Sequence, residues 1–221
     1  MMPPRLDKAG KPVSKVAMSL KGEATAQRIL DAAYKTIAVR GCGAVTLQHI
    51  ADEAGGVVSQ PCYYFGNKNS LLAAVLKRAG KVYLEGLGRW LCHDGAPAEQ
   101  IIDFVNYNEF ILRDSTDTYR IFLEFCNYAV GSTDFQSEIA STTSNMTSRV
   151  EAVIANRGPR RNPSAKYPSA SVIRFIFSTS LGIALQHFLS PDNKGMRKEF
   201  EVIREVAVKL VEADIYETSE R

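Results

Sequence analysis

The stretch Thr46-Leu-Gln-His-Ile-Ala-Asp-Glu-Ala-Gly55, and after a short turn Tyr63-Tyr64-Phe65-Gly-Asn-Lys68-Asn-Ser-Leu71, decides the fold. Thr46 stands before an apolar-periodic run and is a natural N-cap, with Val45 placed to staple onto Ile50. Gly55 and Gly56 break that helix after Ala54. A further helix must fit before Phe65. Ser59 is its expected N-cap, which puts Pro61 in the first turn, where a missing N–H costs little. Asn67 is the cap candidate for a helix opening near Lys68. Upstream, from about Ala24 to Arg40, Leu30, Ala33 and Ile37 share a helical face with Ile29 beside it. Asp31 and Lys35 form an i,i+4 pair, and Gly41 supplies the stop. The reading is three short helices joined by tight turns.

Downstream the pattern stays helical and strand signals are nearly absent. The helix from Lys68 carries Leu71, Leu72, Val75, Leu76, Val82 and Leu87. Further helices are expected over about Pro97 to Arg113, Asp117 to Ala129 and Asp134 to Asn156. A Pro- and Gly-bearing loop then holds Arg157, Arg160, Arg161 and Lys166 as a solvated connection. Helices at Ser169–Leu189 and Met196–Ala213 complete the chain, the last with Phe200, Ile203, Ala207, Leu210 and Val211 in one stripe. The expected class is all-α, with an N-terminal three-helix helix-turn-helix domain and a larger helical domain. The expected divisions are a flexible basic arm over 1–22, the small domain over 23–70 and the larger one over 71–221.

The chain has 221 residues, 45% hydrophobic and 23% charged, enough apolar material for a sizeable core. The net charge of +3 argues against a polyanion partner only if it is averaged. Through Arg78 there are eleven basic and five acidic residues, net +6; the remainder carries sixteen against nineteen, net −3. A basic small helical domain on an acidic helical body is a nucleic-acid-binding arrangement. Cys42, Cys62, Cys92 and Cys126 are scattered without a CxxC pair, so neither zinc nor a disulfide scaffold is expected. Adjacent Cys92 and His93 have no partners at zinc spacing, Cys62 has no basic neighbour in sequence to make it a thiol switch, and His49 reads as a surface residue. No signal-peptide core is present, and the apolar run Val172–Leu189 is interrupted by polar residues, so no membrane span is expected and the cytoplasm is the expected location.

The ordered anchors Gln27-Arg28-Ile29-Leu30-Asp31-Ala32-Ala33, Gly41, Thr46-x-x-x-Ile-Ala-x-x-Ala-Gly55, the aromatic run and Phe65-x-x-Lys68-x-x-Leu71 resemble the DNA-binding domain of the TetR family of bacterial transcriptional repressors. The resemblance covers roughly the first third of the chain. It implies that the second of the paired helices lies in the major groove while the first crosses the backbone. Thr46 and Gln48 then face phosphate or a base edge, and Lys68 acts as a phosphate clamp. Tyr63 and Tyr64 offer hydroxyls to backbone oxygens and rings to thymine methyls, and Gln60, beside Ser59 and Pro61, can bond adenine. Phe65 reads as a packing residue. The sequence departs from the family at Gly56-Val57 and at Cys62, where a Tyr is usual. Either the turn is longer and the reading helix shorter, or the helix starts earlier with Pro61 in its second turn. The cost of an interior proline, about 3 kcal/mol, favours the first.

Ser169–Leu189 is apolar around most of its circumference and must be covered on all sides. Together with Met196–Ala213 it is expected to meet its copy as a four-helix bundle, giving a homodimer that reads a palindromic duplex operator. The resemblance further implies a pocket for a small-molecule effector among Trp90, Phe104, Tyr107, Asn108, Phe122, Phe125, Cys126 and Phe177. The expected function is a ligand-released repressor with no cofactor, no metal and no catalysis. Rival readings are an all-helical enzyme or small-molecule carrier, and a constitutive DNA-binding protein without effector. No Ser/His/Asp, paired-carboxylate or phosphate-loop constellation stands out.

Overall fold

The computed structural model describes residues 15–91, 96–155, 167–191 and 195–216. The described residues form nine helices and no strand. The chain divides into two compact units, Met1–Val75 and Leu76–Arg221.

The first unit holds α1 (Lys15–Ala44), α2 (Leu47–Glu53), α3 (Ser59–Phe65) and the start of α4 (Lys68–Trp90). Part of the expected basic arm is helix: α1 begins at Lys15, and Lys15, Ala17, Met18, Leu20, Lys21 and Glu23 are good helix formers that outnumber Val16, Ser19 and Gly22. Residues 1–14 of that arm lie outside the described residues. The buried face of α1 is Ile29, Ala32, Ala33, Thr36 and Ile37, with Leu30 only half-buried. The stripe is thus rotated about one residue from the one read in sequence. Gly41 breaks α1 at φ 75°, ψ 161°, a backbone that L side chains rarely adopt. The turn delivers Cys42 and Val45 into the core, against the face of α2 that buries Ile50 and Ala51.

The second unit holds the rest of α4, α5 (Pro97–Asp114), α6 (Asp117–Val130), α7 (Thr133–Ala155), α8 (Ser169–Leu189) and α9 (Met196–Tyr216). The loop with Arg157, Arg160, Arg161 and Lys166 lies outside the described residues, as do Cys92 and His93. α5 packs along α9, and α8 lies against both α7 and α9. The core joins Leu87, Phe104, Val105, Leu112, Ile176 and Phe200, all nearly free of solvent. Tyr107 lies across Gly86 and donates to Tyr83 O at 2.8 Å; a Cβ on Gly86 would sit 2.0 Å from that hydroxyl. Arg204 enters the α5–α9 seam, where it meets Asn106 Oδ1 at 3.0 Å and Glu109 Oε2 at 2.6 Å.

α8 is long and apolar enough to cross a membrane by length and composition alone, a test that a core helix also passes. One side of it is core: Val172, Ile173, Ile176, Ser180, Ile183 and Ala184 are buried in the second unit. The opposite side leaves Phe175, Ser178, Gly182, Leu185 and Leu189 exposed at spacings of three and four residues. α9 adds exposed Val202 and Val206.

Candidate nucleic-acid interface and interior cavity

The two paired helices of the first unit are short, so their ends do most of the polar work. Thr46 caps α2: its Oγ1 accepts from His49 N at 3.1 Å, leaving the hydroxyl proton free for an external acceptor. Gln48 is exposed and donates to Asp52 Oδ1 at 2.7 Å. His49 is half-buried, with Nδ1 enclosed, rather than a surface residue.

The chain then turns through Gly55 and Gly56 into α3. The helix is seven residues long, and Val58 takes the cap position, so Ser59 is the first helical residue rather than the cap. Ser59 offers no capping bond; the entry is held by Gln60 N donating to Val57 O at 2.9 Å. Pro61 falls inside the first turn and is buried, the arrangement in which its missing N–H is least costly. The long turn with a short helix is therefore the one adopted.

The surface of α3 is not the one the sequence suggested. Gln60 does not reach outward: its side chain folds back over Gly56, and its Oε1 is enclosed without a partner. A Cβ at position 56 would lie 2.2 Å from that oxygen, so the missing side chain of Gly56 makes the fold-back possible. What the helix presents instead is Ser59, Cys62 and Tyr63, with Val57 and Val58 exposed in front of it. Tyr63 is 82% exposed and meets half-buried Tyr64 edge-on at 5.2 Å. Phe65 is half-buried. Cys62, Val57 and Val58 are exposed apolar groups that the sequence reading did not assign to this surface.

Lys68 opens α4, behind Asn67, whose Oδ1 accepts from Ser70 N at 2.9 Å. Its Nζ donates to Gly43 O at 2.9 Å, which ties the start of α4 to the turn before α2. Partial desolvation lowers its pKa from the usual lysine value, partly offset by the nearby Cys42 thiol. Lys35 Nζ, on α1, lies 4.0 Å from Glu53 Oε1 on α2.

The second unit contains a cavity of about 460 Å³. It has an apolar wall from α4, α6, α7 and α8, including Phe122, Phe125, Ile139, Met146 and Phe177. Thr118, Gln136, Thr143 and Ser178 also line it, and one fully buried polar cluster touches it. Tyr83 and Tyr119 both donate their hydroxyls to Asn108 Oδ1, at 3.1 and 2.8 Å, and Asn108 Nδ2 donates to Phe104 O at 2.7 Å. The amide orientation is fixed by chemistry, since Phe104 O can only accept. Burial pushes the Tyr83 and Tyr119 hydroxyls well above the usual tyrosine pKa, and Tyr107 up to about 12. Burial also raises the Cys126 thiol.

Of the residues expected at a pocket, Asn108, Phe122, Phe125, Cys126 and Phe177 line this cavity. Trp90, Phe104 and Tyr107 do not. Phe104 is sealed in the core, and partly exposed Trp90 lies tilted against Tyr107 and Phe110. All three lie on helical faces that periodicity alone makes look inward; Trp90 is in fact 38% exposed. Tyr83 and Tyr119 were missed, although both are polar aromatics on predicted helices. No group of three or more potential metal ligands occurs among the described residues.

Residues 29–75 match the family described as bacterial regulatory proteins, tetR family. Over 110 residues the chain is 29% identical to the HTH-type transcriptional regulator BetI of Brucella suis biovar 1 (strain 1330), half of this chain and 56% of that one. The chain thus spans about half the length of the curated relatives it matches. A putative TetR-family transcriptional regulator from Rhodococcus sp. shares the fold at a TM-score of 0.69 and 15% identity, over 85% of this chain and 98% of that one. The regulator FadR from Bacillus subtilis, solved in complex with stearoyl-CoA, does so at 0.65 and 16%, over 84% and 98%.

Proposed function

We propose, from the match of residues 29–75 to the tetR family of bacterial regulatory proteins, that the chain is a cytoplasmic repressor of that family that binds a palindromic operator as a dimer and leaves it when a small molecule binds. The observation that carries the DNA-binding part is the first unit: a Thr46-capped α2, a tight turn, and α3 with Ser59, Cys62 and Tyr63 turned to solvent on a net-basic segment. Thr46, Gln48 and Lys68 supply sequence-independent phosphate contacts, with Tyr64 beside them. Ser59 and Tyr63 meet base edges and thymine methyls. Gln60 joins them only by swinging off Gly56, and Pro61 serves to set the helix entry.

The dimer reading is supported by the exposed stripe on α8. Phe175, Leu185 and Leu189 flank the small residues Ser178 and Gly182 along this stripe, which leaves room at its middle for close helix contact. Val202 and Val206 of α9 extend it, in the manner of a four-helix bundle about a two-fold axis. Release requires the effector to prefer a conformation of the dimer that does not fit the operator; binding without such preference shifts nothing. The cavity of the second unit is the site assigned to it. The family match favours this reading over an enzyme.

The test is selection of bound duplexes from random DNA by the full-length chain. The expected product is a palindrome with half-sites about one helical turn apart, ~34–36 Å. Recovery of unrelated sequences with no common half-site would contradict it.

A further inference from the structure

The cavity's chemistry says what kind of molecule it suits. None of the described residues that line it is charged. An ion entering it would lose its hydration and meet no counter-charge. The Arg204–Glu109 pair is committed in the α5–α9 seam and is not part of the wall. The fully buried polar end is the Tyr83–Asn108–Tyr119 cluster, whereas Val130, Gln136, Ala140 and Thr143, from α6 and α7, are exposed. The cavity therefore has a closed polar end and a side open to solvent.

The hydrogens at the closed end are already spoken for. Both phenol protons point at Asn108 Oδ1, and one Asn108 Nδ2 proton at Phe104 O. What remains are lone pairs on the two phenol oxygens, that of Tyr119 shared with the neighbouring Ser180 hydroxyl, and the second Nδ2 proton. A hydroxyl can donate to a phenol oxygen and accept from that amide. An ether or a ketone can only accept, and so meets one of the two needs. The phenols stay protonated at neutral pH because burial holds their pKa values high, so no negative charge forms there to attract a cation.

We infer that the cavity takes an uncharged, largely apolar molecule bearing one hydroxyl group, which is held at the Tyr83–Asn108–Tyr119 end with the apolar body against Phe122, Phe125 and Phe177. This rests on the reading of the second unit as the effector-sensing part. A volume of about 460 Å³ suits one small molecule with a compact ring or a medium-length chain. The polyanionic head of a coenzyme A thioester has no cation in this wall to meet.

The experiment titrates the full-length protein calorimetrically at neutral pH with four probes of one skeleton: 1-octanol, 1-methoxyoctane, octanoate and octyltrimethylammonium. The alcohol should bind about tenfold more tightly than the ether and about a hundredfold more tightly than either ion. Tyr83→Phe should bring the alcohol-to-ether ratio toward one while leaving the ether's affinity unchanged, which a merely structural role for Tyr83 would not do. Equal binding of alcohol and ether by the wild type, an ion binding more tightly than the alcohol, or no binding by any probe while duplex binding persists would each overturn the inference. The expected ranking with operator affinity unchanged by octanol would uphold it and overturn the regulatory reading instead.

Discussion

The two units of the chain place their polar chemistry in opposite ways. In the first it sits at helix ends and on the surface: the Thr46 cap, the Asn67 cap, the Lys68 bond to Gly43 and exposed Tyr63. In the second it sits in the interior, where Asn108 of α5 collects two tyrosine hydroxyls from the helices before and after its own. A capping side chain such as Thr46 or Asn67 finds its partner three residues away; a buried polar group needs partners brought by the fold. The first arrangement turns donors such as the Thr46 hydroxyl toward solvent, where an external polyanion would meet them; the second keeps a small, closed set for a neutral guest. The net charge of +3 is the sum of these two designs.

The largest effect expected from breaking the contrast lies in the interior. Asn108→Leu strands two buried phenol hydroxyls and should cost about 3 kcal/mol of stability, read by urea denaturation. If the loss is under 0.5 kcal/mol (roughly what a surface change costs), the cluster is not what holds that end of the cavity closed. Alkaline pH attacks the same unit. The folded-state pKa values of Tyr83, Tyr107 and Tyr119 lie above the unfolded value near 10. The unfolded chain therefore loses protons first, and stability present below pH 10 is lost as pH rises through 10 toward 12 and beyond. The slope should be roughly 1.4 kcal/mol per pH unit for each tyrosine so held. Denaturation at a series of alkaline pH values reads it; a flat profile between pH 10 and 12 would show the hydroxyls are not protected.

At the helix ends the effects are smaller. Thr46→Ala removes one cap and should cost about 1 kcal/mol, and it should also weaken binding to duplexes of any sequence. Gly182→Arg should cost the isolated chain little, because a Cβ there meets open space. It should nevertheless yield monomers in sedimentation, and a persisting dimer would remove α8 from the interface.

The same contrast explains what was legible from sequence. The first unit was readable because capping, glycine breaks and an early proline act at fixed short offsets. α2 and α3 accordingly fall within a residue of their expected positions, as do most of the other helix ends. What failed there needed space rather than spacing: nothing in the sequence says that Gln60 will occupy the room Gly56 leaves. In the second unit periodicity found the helices and their buried faces but could not separate a core face from a cavity wall. Phe104 and Phe125 both read as inward aromatics, and only the second lines the cavity. Tyr83 and Tyr119 matter because Asn108 lies between them, a meeting of three helices that no local pattern encodes.

The central claim is that the first unit delivers a pair of basic heads to duplex DNA. The most direct test is fluorescence anisotropy of the full-length protein on a selected duplex across a range of salt, beside Lys68→Ala. Affinity should fall linearly on a log–log plot against salt, with two chains per duplex, and Lys68→Ala should lower the slope by about 0.9 for each phosphate it leaves without a cation. Affinity indifferent to salt, or a Lys68→Ala protein with unchanged affinity and slope, would contradict the account.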